Sequence, residues 1–270
     1  MRSQADWEER RADNRALWDE LAARHEVSAF YDLDAIRAGR LEVRPHELAE
    51  LGPVRGLTLC HLQCHLGTDT LAWAREGARV VGVDFSPRSI EVARRLAHDV
   101  GLEAEFVEAD VYQAPEALGR RTFDVVYTGY GALVWLPDLD RWAQSVARLL
   151  KAAGVLYLSE FHPFHEMMAW DRLEIEHDYF QTEASTYEEG GDYTGEGEPF
   201  AARSHEWIHP VGEVVSAVAG AGLRIDFLHE HEGIHWQRWP FLVPRGDGAW
   251  TTPEGMPRMP LEYTLRAHKD

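Results

Sequence analysis

Lysine is nearly missing from this chain: of 270 residues, only Lys151 and Lys269 are lysines. The formal net charge is −19, so no basic stripe is available to follow a phosphate backbone, and no nucleic-acid partner is expected. Cysteine is as scarce. Cys60 and Cys64 are the only two, and both stand inside one apolar segment rather than in a stapling pattern, which fits a reducing cytoplasm. Their spacing also differs from that of the usual zinc-binding pair. No run approaches the roughly 18 apolar residues of a membrane span. The opening MRSQADWEERRADNR is charged and has no apolar signal region. A cytoplasmic location with no membrane partner is therefore expected.

The hydrophobic content of 45% is ample for a core, and the length allows one large α/β domain spanning residues 1–270. The stretch 57–84, LTLCHLQCHLGTDTLAWAREGARVVGVD, organises the rest. It reads as an apolar strand (Leu57 to Leu62), a turn, an amphipathic helix from Thr68 to about Glu76, and a second strand (Ala78 to Val83) ending at Asp84. That order is the first half of a nucleotide-binding α/β unit. Ser86-Pro87 begins the next helix, and strands follow at Ala104 to Val107, Phe123 to Tyr127 and Gly154 to Ser159, with a helix from about Asp138 to Leu150 before the last of these. Five strands alternating with helices predict a parallel sheet with right-handed crossovers.

The rhythm fails from Glu160 to about His205. Residues 161–205 read as a cap insertion, with nine acids and no lysine or arginine between Leu173 and Ala202. Such a stretch is either a solvated face or a field that draws a cationic substrate, and it is equally a candidate dimer face. A helix at His209 to Gly220, a sixth strand at Leu223 to Leu228 and a last strand at Leu261 to Ala267 complete residues 206–270. Residues 1–52, with Trp7, Leu17, Trp18 and Leu21 on a helical spacing, predict a helical lid.

Ligands in an open α/β sheet sit beyond the carboxyl ends of the strands. Here those ends carry, in order, the loop Gln63-Cys64-His65-Leu66-Gly67, then Asp84-Phe85-Ser86, then Asp110-Val111, then Thr128-Gly129-Tyr130-Gly131. A helix N-terminus after Gly67 can meet a carboxylate or phosphate. Asp84 is placed to accept from two ribose hydroxyls, and Asp110 from an adenine amino group.

These residues carry a resemblance. Residues 57–160 resemble the class I S-adenosylmethionine-dependent methyltransferases: the family pattern VLDLGCGTG is matched by Leu59 to Gly67, followed by GVDFS at Gly82 to Ser86, Ala109-Asp110 and the LLKAAG run from Leu149. More closely, HLQCHLGTDT at His61 to Thr70 resembles the first motif of a bacterial small-molecule subgroup associated with secondary metabolism. His61 replaces the family's first acid, and Gln63 and His65 replace its first two glycines. The resemblance implies a Rossmann-like seven-stranded sheet, mostly parallel with an antiparallel last strand inserted between strands five and six, helices on both faces and a small cap. It implies S-adenosylmethionine as cofactor, with Gln63, Cys64, His65, Gly67, Asp84, Phe85, Ser86, Asp110, Val111, Thr128 and Gly129 around it, all within residues 53–160. The implied reaction is methyl transfer to nitrogen or oxygen of a small-molecule metabolite. The alternatives are a protein that binds the cofactor for a different or lost reaction, and a macromolecule methyltransferase.

Methyl transfer needs chiefly orientation, and aromatic faces can hold a sulfonium cation. Tyr31, Tyr130, Trp18 and Trp135 are candidate walls. His162, near the end of strand five with Glu160 and His165, is the candidate base. Histidines number 14, but no three share a metal-ligand spacing on one element, and no metal is expected.

Overall fold

The computed structural model describes residues 4–196, 198 and 200–270. Its centre is a seven-stranded sheet built from β1 (Thr58–Leu62), β2 (Arg79–Asp84), β3 (Ala104–Glu108), β4 (Phe123–Thr128) and β5 (Leu150–Phe161), and completed by β8 (Leu223–His231) and β11 (Glu262–Lys269). The order is β3-β2-β1-β4-β5-β11-β8. The first five are parallel, whereas β11 runs antiparallel to both β5 and β8. This is the Rossmann-like arrangement expected from the sequence, with the last strand inserted between the fifth and sixth of the main sheet.

The core forms on both faces because β1, β2 and β4 are buried on both sides, as interior parallel strands must be. On one face α7 (Leu139–Leu149) buries Trp142, Val146 and Leu149, with α9 (Val211–Gly220) beside it. On the other, α4 (Thr68–Arg75) and α5 (Pro87–Val100) bury Leu71, Trp73, Ile90 and Leu96. Each helix starts where a side chain or a turn can begin it: Asp138 accepts from the Arg141 amide, Ser86 from the Ser89 amide, both N-caps of the usual kind.

The β5 strand is longer than the sequence suggests. It begins at Leu150 rather than Gly154, because Leu150 already pairs with Phe123 before a register shift. The backbone carries the irregularity within the strand, at the small residues 152–154, with Ala153 at φ 60°.

The N-terminal helix α1 (Gln4–His25) lies across the carboxyl edge of the sheet, followed by α2 (Leu33–Arg37) and α3 (Pro45–Leu51). A short α6 (Ala114–Ala117) precedes β4, and β9 (Val243–Pro244) pairs with β10 (Trp250–Thr251) before the last strand. The segment after β5 holds α8 (Pro163–Glu166) and an antiparallel pair of β6 (Ser185–Tyr187) with β7 (Ser204–Glu206). Asn14 of α1 fastens this segment: its Nδ2 donates to the His205 carbonyl at 2.9 Å, and its Oδ1 accepts from the His205 amide at 2.8 Å. Not all of the cap's acids are a solvated face. Glu196 turns inward to accept from the amides of Ala29 and Phe30 at 3.0 and 2.9 Å.

Candidate active site

A cleft lies between α1 and the carboxyl ends of β1, β2 and β4, the edge of an open α/β sheet at which ligands bind. Of the sequence-expected residues, Tyr31, Gln63, His65, Asp84, Phe85, Asp110, Val111 and Tyr130 line it. All but Tyr31, which stands between α1 and Leu33, converge because each ends or follows a strand of the same parallel sheet.

The β1 loop is held by side chains where its relatives in pattern have glycine. Gln63 and His65 keep the left-handed backbone, at φ 57° and 47°, a region that side chains disfavour. Gln63 Nε2 donates to the Ala132 carbonyl at 2.8 Å, tying the β1 loop to the β4 loop. Its Oε1 is buried with no hydrogen-bond partner among the described residues. Gly67 opens α4 with no side-chain cap, so the amides of that first turn are free of a side-chain acceptor. A Cβ on Gly67 would meet the Phe106 ring at 2.7 Å, which explains why this glycine is kept.

Asp84 ends β2, 6% exposed. Its Oδ2 accepts from the His65 amide and its Oδ1 from the Ser86 amide, both at 2.9 Å. Burial pushes its pKa up to about 6, against the pull of those amides. Asp110 accepts from the Tyr112 amide at 2.8 Å and lies 2.6 Å from Arg11 Nε.

Tyr130 presents its ring under the Arg44 guanidinium, 3.8 Å from the ring centre. Its hydroxyl lies 3.3 Å from both Glu47 Oε1 and His46 Nε2. Burial raises its pKa well above the ordinary value, so it stays a neutral phenol. Tyr31 pairs hydroxyl to hydroxyl with Tyr193 of the cap. Trp18 meets His65 edge-on at 5.0 Å and Trp135 at 5.2 Å.

The remaining expected residues stand behind the cleft. Cys64 points against Gly82, Ser86 caps α5 and donates to Asp19 at 2.5 Å, and Thr128 and Gly129 are the buried end of β4. His162 does not line the cleft. It starts α8, where its Nδ1 accepts from the Phe164 amide at 3.1 Å while Nε2 lies 2.9 Å from Glu230. Both ring nitrogens are thereby engaged, which leaves no lone pair for a base facing the cleft. Glu160 is no freer: its carboxylate accepts from the amides of Gly131, Ala132 (2.8 Å), Leu133 (2.9 Å) and Phe161 (2.7 Å), so it frames the β4 loop. His61 is buried within β1, in the interior of the sheet, with Nδ1 2.8 Å from Thr70 Oγ1 of α4.

Arg11 and Asn14 of α1 and Tyr193 of the cap line it without having been singled out from sequence. With Trp7 and Trp18, Arg11 and Asn14 form one stripe of α1 at spacings of four, three and four. That spacing was visible, but its mixed aromatic and polar character hid it from a search for apolar periodicity.

The sheet order and the site at its carboxyl edge define the Rossmann-like methyltransferase fold. Residues 60–154 match a family model described as a methyltransferase domain. A demethylmenaquinone methyltransferase of Thermus thermophilus is 38% identical over 87 residues, covering 32% of this chain and 38% of that protein. A ubiquinone biosynthesis O-methyltransferase of Vibrio cholerae is 31% identical over 147 residues, covering 50% and 59%. The chain thus spans less than two thirds of the length of either relative. Among solved structures, an S-adenosylmethionine-dependent methyltransferase of Mesorhizobium loti is similar at 22% identity and a TM-score of 0.60, covering 83% of this chain and 96% of that one. Another from Methanosarcina mazei is similar at 20% identity and 0.55, covering 85% and 99%. At those identities the structures speak to the fold.

Proposed function

We propose that this chain is an S-adenosylmethionine-dependent methyltransferase acting on oxygen or nitrogen of a small-molecule acceptor. The observation that carries the proposal is the gathering of Gln63, His65, Asp84 and Asp110 around one cleft, inside the segment that matches the methyltransferase model. The residues suit the cofactor. Gln63 Oε1, buried and without a partner among the described residues, would accept from its ammonium group. Asp84 keeps lone pairs for the ribose hydroxyls and Asp110 for the adenine amino group, with Phe85 and Val111 as apolar flanks. Cys64, Gly67, Ser86, Thr128 and Gly129 supply the frame behind them.

When bound, the cofactor supplies an electrophilic methyl group on a sulfonium. This chain's residues orient and exclude water. Tyr31, Tyr130, Trp18 and Trp135 offer aromatic faces that attract the cation without competing for its methyl group. His65 is engaged at both ring nitrogens, so transfer relies on alignment, and the acceptor must bring a neutral nitrogen or an oxygen that ionises readily. The name of the O-methyltransferase relative and the aromatic walls favour oxygen on a planar ring. A net charge of −19 argues against nucleic-acid acceptors. Free, buried cysteines suit the cytoplasm. Trp170, Ile175 and Phe180, exposed on the cap, favour a homodimer.

Calorimetry with S-adenosylhomocysteine tests the cofactor site. Binding is expected for the unaltered protein, weakened by about 2 kcal/mol or more in Asp84→Ala, which removes a charged acceptor. No binding, or unchanged affinity in the variant, would overturn the assignment. Transfer of labelled methyl to a panel of phenols and aromatic amines tests the acceptor class.

A further inference from the structure

The imidazole of His65 belongs to a chain of four groups that crosses three parts of the molecule. Its Nδ1 lies 3.1 Å from Ser89 Oγ on α5, and its Nε2 lies 2.8 Å from Nδ1 of His25 in the last turn of α1. His25 is fully buried, and its Nε2 lies 3.1 Å from Asp192 Oδ1 of the cap. Asp192 is itself oriented, because the same oxygen accepts from the Thr194 amide at 2.9 Å and hydroxyl at 2.7 Å. Burial, the largest influence on each, holds both histidines below their ordinary pKa and so neutral.

With neutral rings and Asp192 as the acceptor at the end of the chain, the hydrogens fall in one order. Ser89 donates to His65 Nδ1, His65 Nε2–H donates to His25, and His25 Nε2–H donates to the carboxylate. No ring nitrogen is left over. The backbone of the same His65 donates to Asp84. A cap residue therefore sets the ring whose amide holds the acid of the ligand cleft. The seam is fastened at two further points, Tyr31 with Tyr193 and Glu196 with the amides of Ala29 and Phe30. This accounts for a histidine at a backbone position that favours glycine: the side chain supplies a link that glycine lacks.

We propose that His25 and Asp192 are positioning residues of the cofactor site, acting through His65 so that the 63–67 loop and Asp84 are held by the docked cap. The proposal rests on the cofactor assignment above for the identity of the ligand, but not for the link itself. Cap docking and cofactor binding then reinforce each other, because each orders groups that the other needs.

Amide exchange and S-adenosylhomocysteine calorimetry test this on the full chain. His65→Gly suits the backbone conformation, so the loop keeps its fold while the link is cut. In the absence of ligand, exchange around residues 185–196 is expected to rise at least tenfold in His65→Gly; unchanged exchange would overturn the link whatever the ligand does. Asp192→Ala is expected to weaken S-adenosylhomocysteine at least tenfold, and Asp192→Asn, which keeps an acceptor oxygen, to recover most of that loss. Equal affinity in Asp192→Ala and the unaltered protein would overturn the positioning role. Failure of the unaltered protein to bind would instead overturn the cofactor assignment, and the ligand-free exchange comparison would still decide the link.

Discussion

Arg11 Nε lies 2.6 Å from Asp110 Oδ2, so the helix over the cleft and the acid that ends the third strand's turn are one ion pair. The pair closes one end of the cleft, where Asp110 is 8% and Arg11 30% exposed as side chains.

A partly sheltered pair of this kind contributes modestly. A double-mutant cycle of Arg11→Ala and Asp110→Ala, read by urea denaturation, is expected to return a coupling of about 1 kcal/mol. A coupling near zero would mean that α1 is held at this end by its other contacts, Trp7 with Tyr112 and Trp207 and Arg15 with Glu108.

Glu160 makes a different prediction. Its carboxylate gathers four backbone amides, and burial, the dominant influence, still pushes its pKa up to about 7. Glu160→Gln places an amide nitrogen among donors, leaving at least one buried N–H without an acceptor. Stability is expected to fall by about 2–3 kcal/mol, with faster amide exchange confined to residues 131–133. A loss spread evenly over the sheet would contradict a role specific to the β4 loop.

His61 gives the pH dependence. It is 3% exposed, and burial lowers its pKa from 6.5 to about 4. The folded state therefore refuses a proton that the unfolded chain accepts near 6.5. The His61 contribution is complete above that pH and declines as pH falls towards 4, by about 3 kcal/mol in all. Denaturant midpoints from pH 7 to 4 should fall more steeply for the unaltered protein than for His61→Gln. Parallel slopes would show that the ring is protonated without penalty.

The sheet was legible because β1, β2, β4 and the second half of β5 are mostly apolar runs, a pattern that burial on both faces imposes. Gln63, Asp84 and Asp110 could be placed for the same reason: a strand end fixes the position of the residue after it. What escaped had no such frame. Arg11 and Asn14 share a helix face of mixed aromatic, charged and polar character, and the partnership of His25 with His65 joins residues 40 apart through a geometry that no local spacing encodes. His162 misled because nearness to a strand end says nothing of which way a ring turns, and here it turns to Glu230.

Asn14 also has a consequence for how the chain behaves among its own copies. Its side-chain amide takes both hydrogen-bonding groups of His205, the same two that a neighbouring strand would claim. The β7 side away from β6 therefore meets an imitation peptide carried on a helix, and the pair offers that side no template for another chain to extend. A short strand in an acid-rich segment is in this way closed to aggregation without a further strand being spent on it.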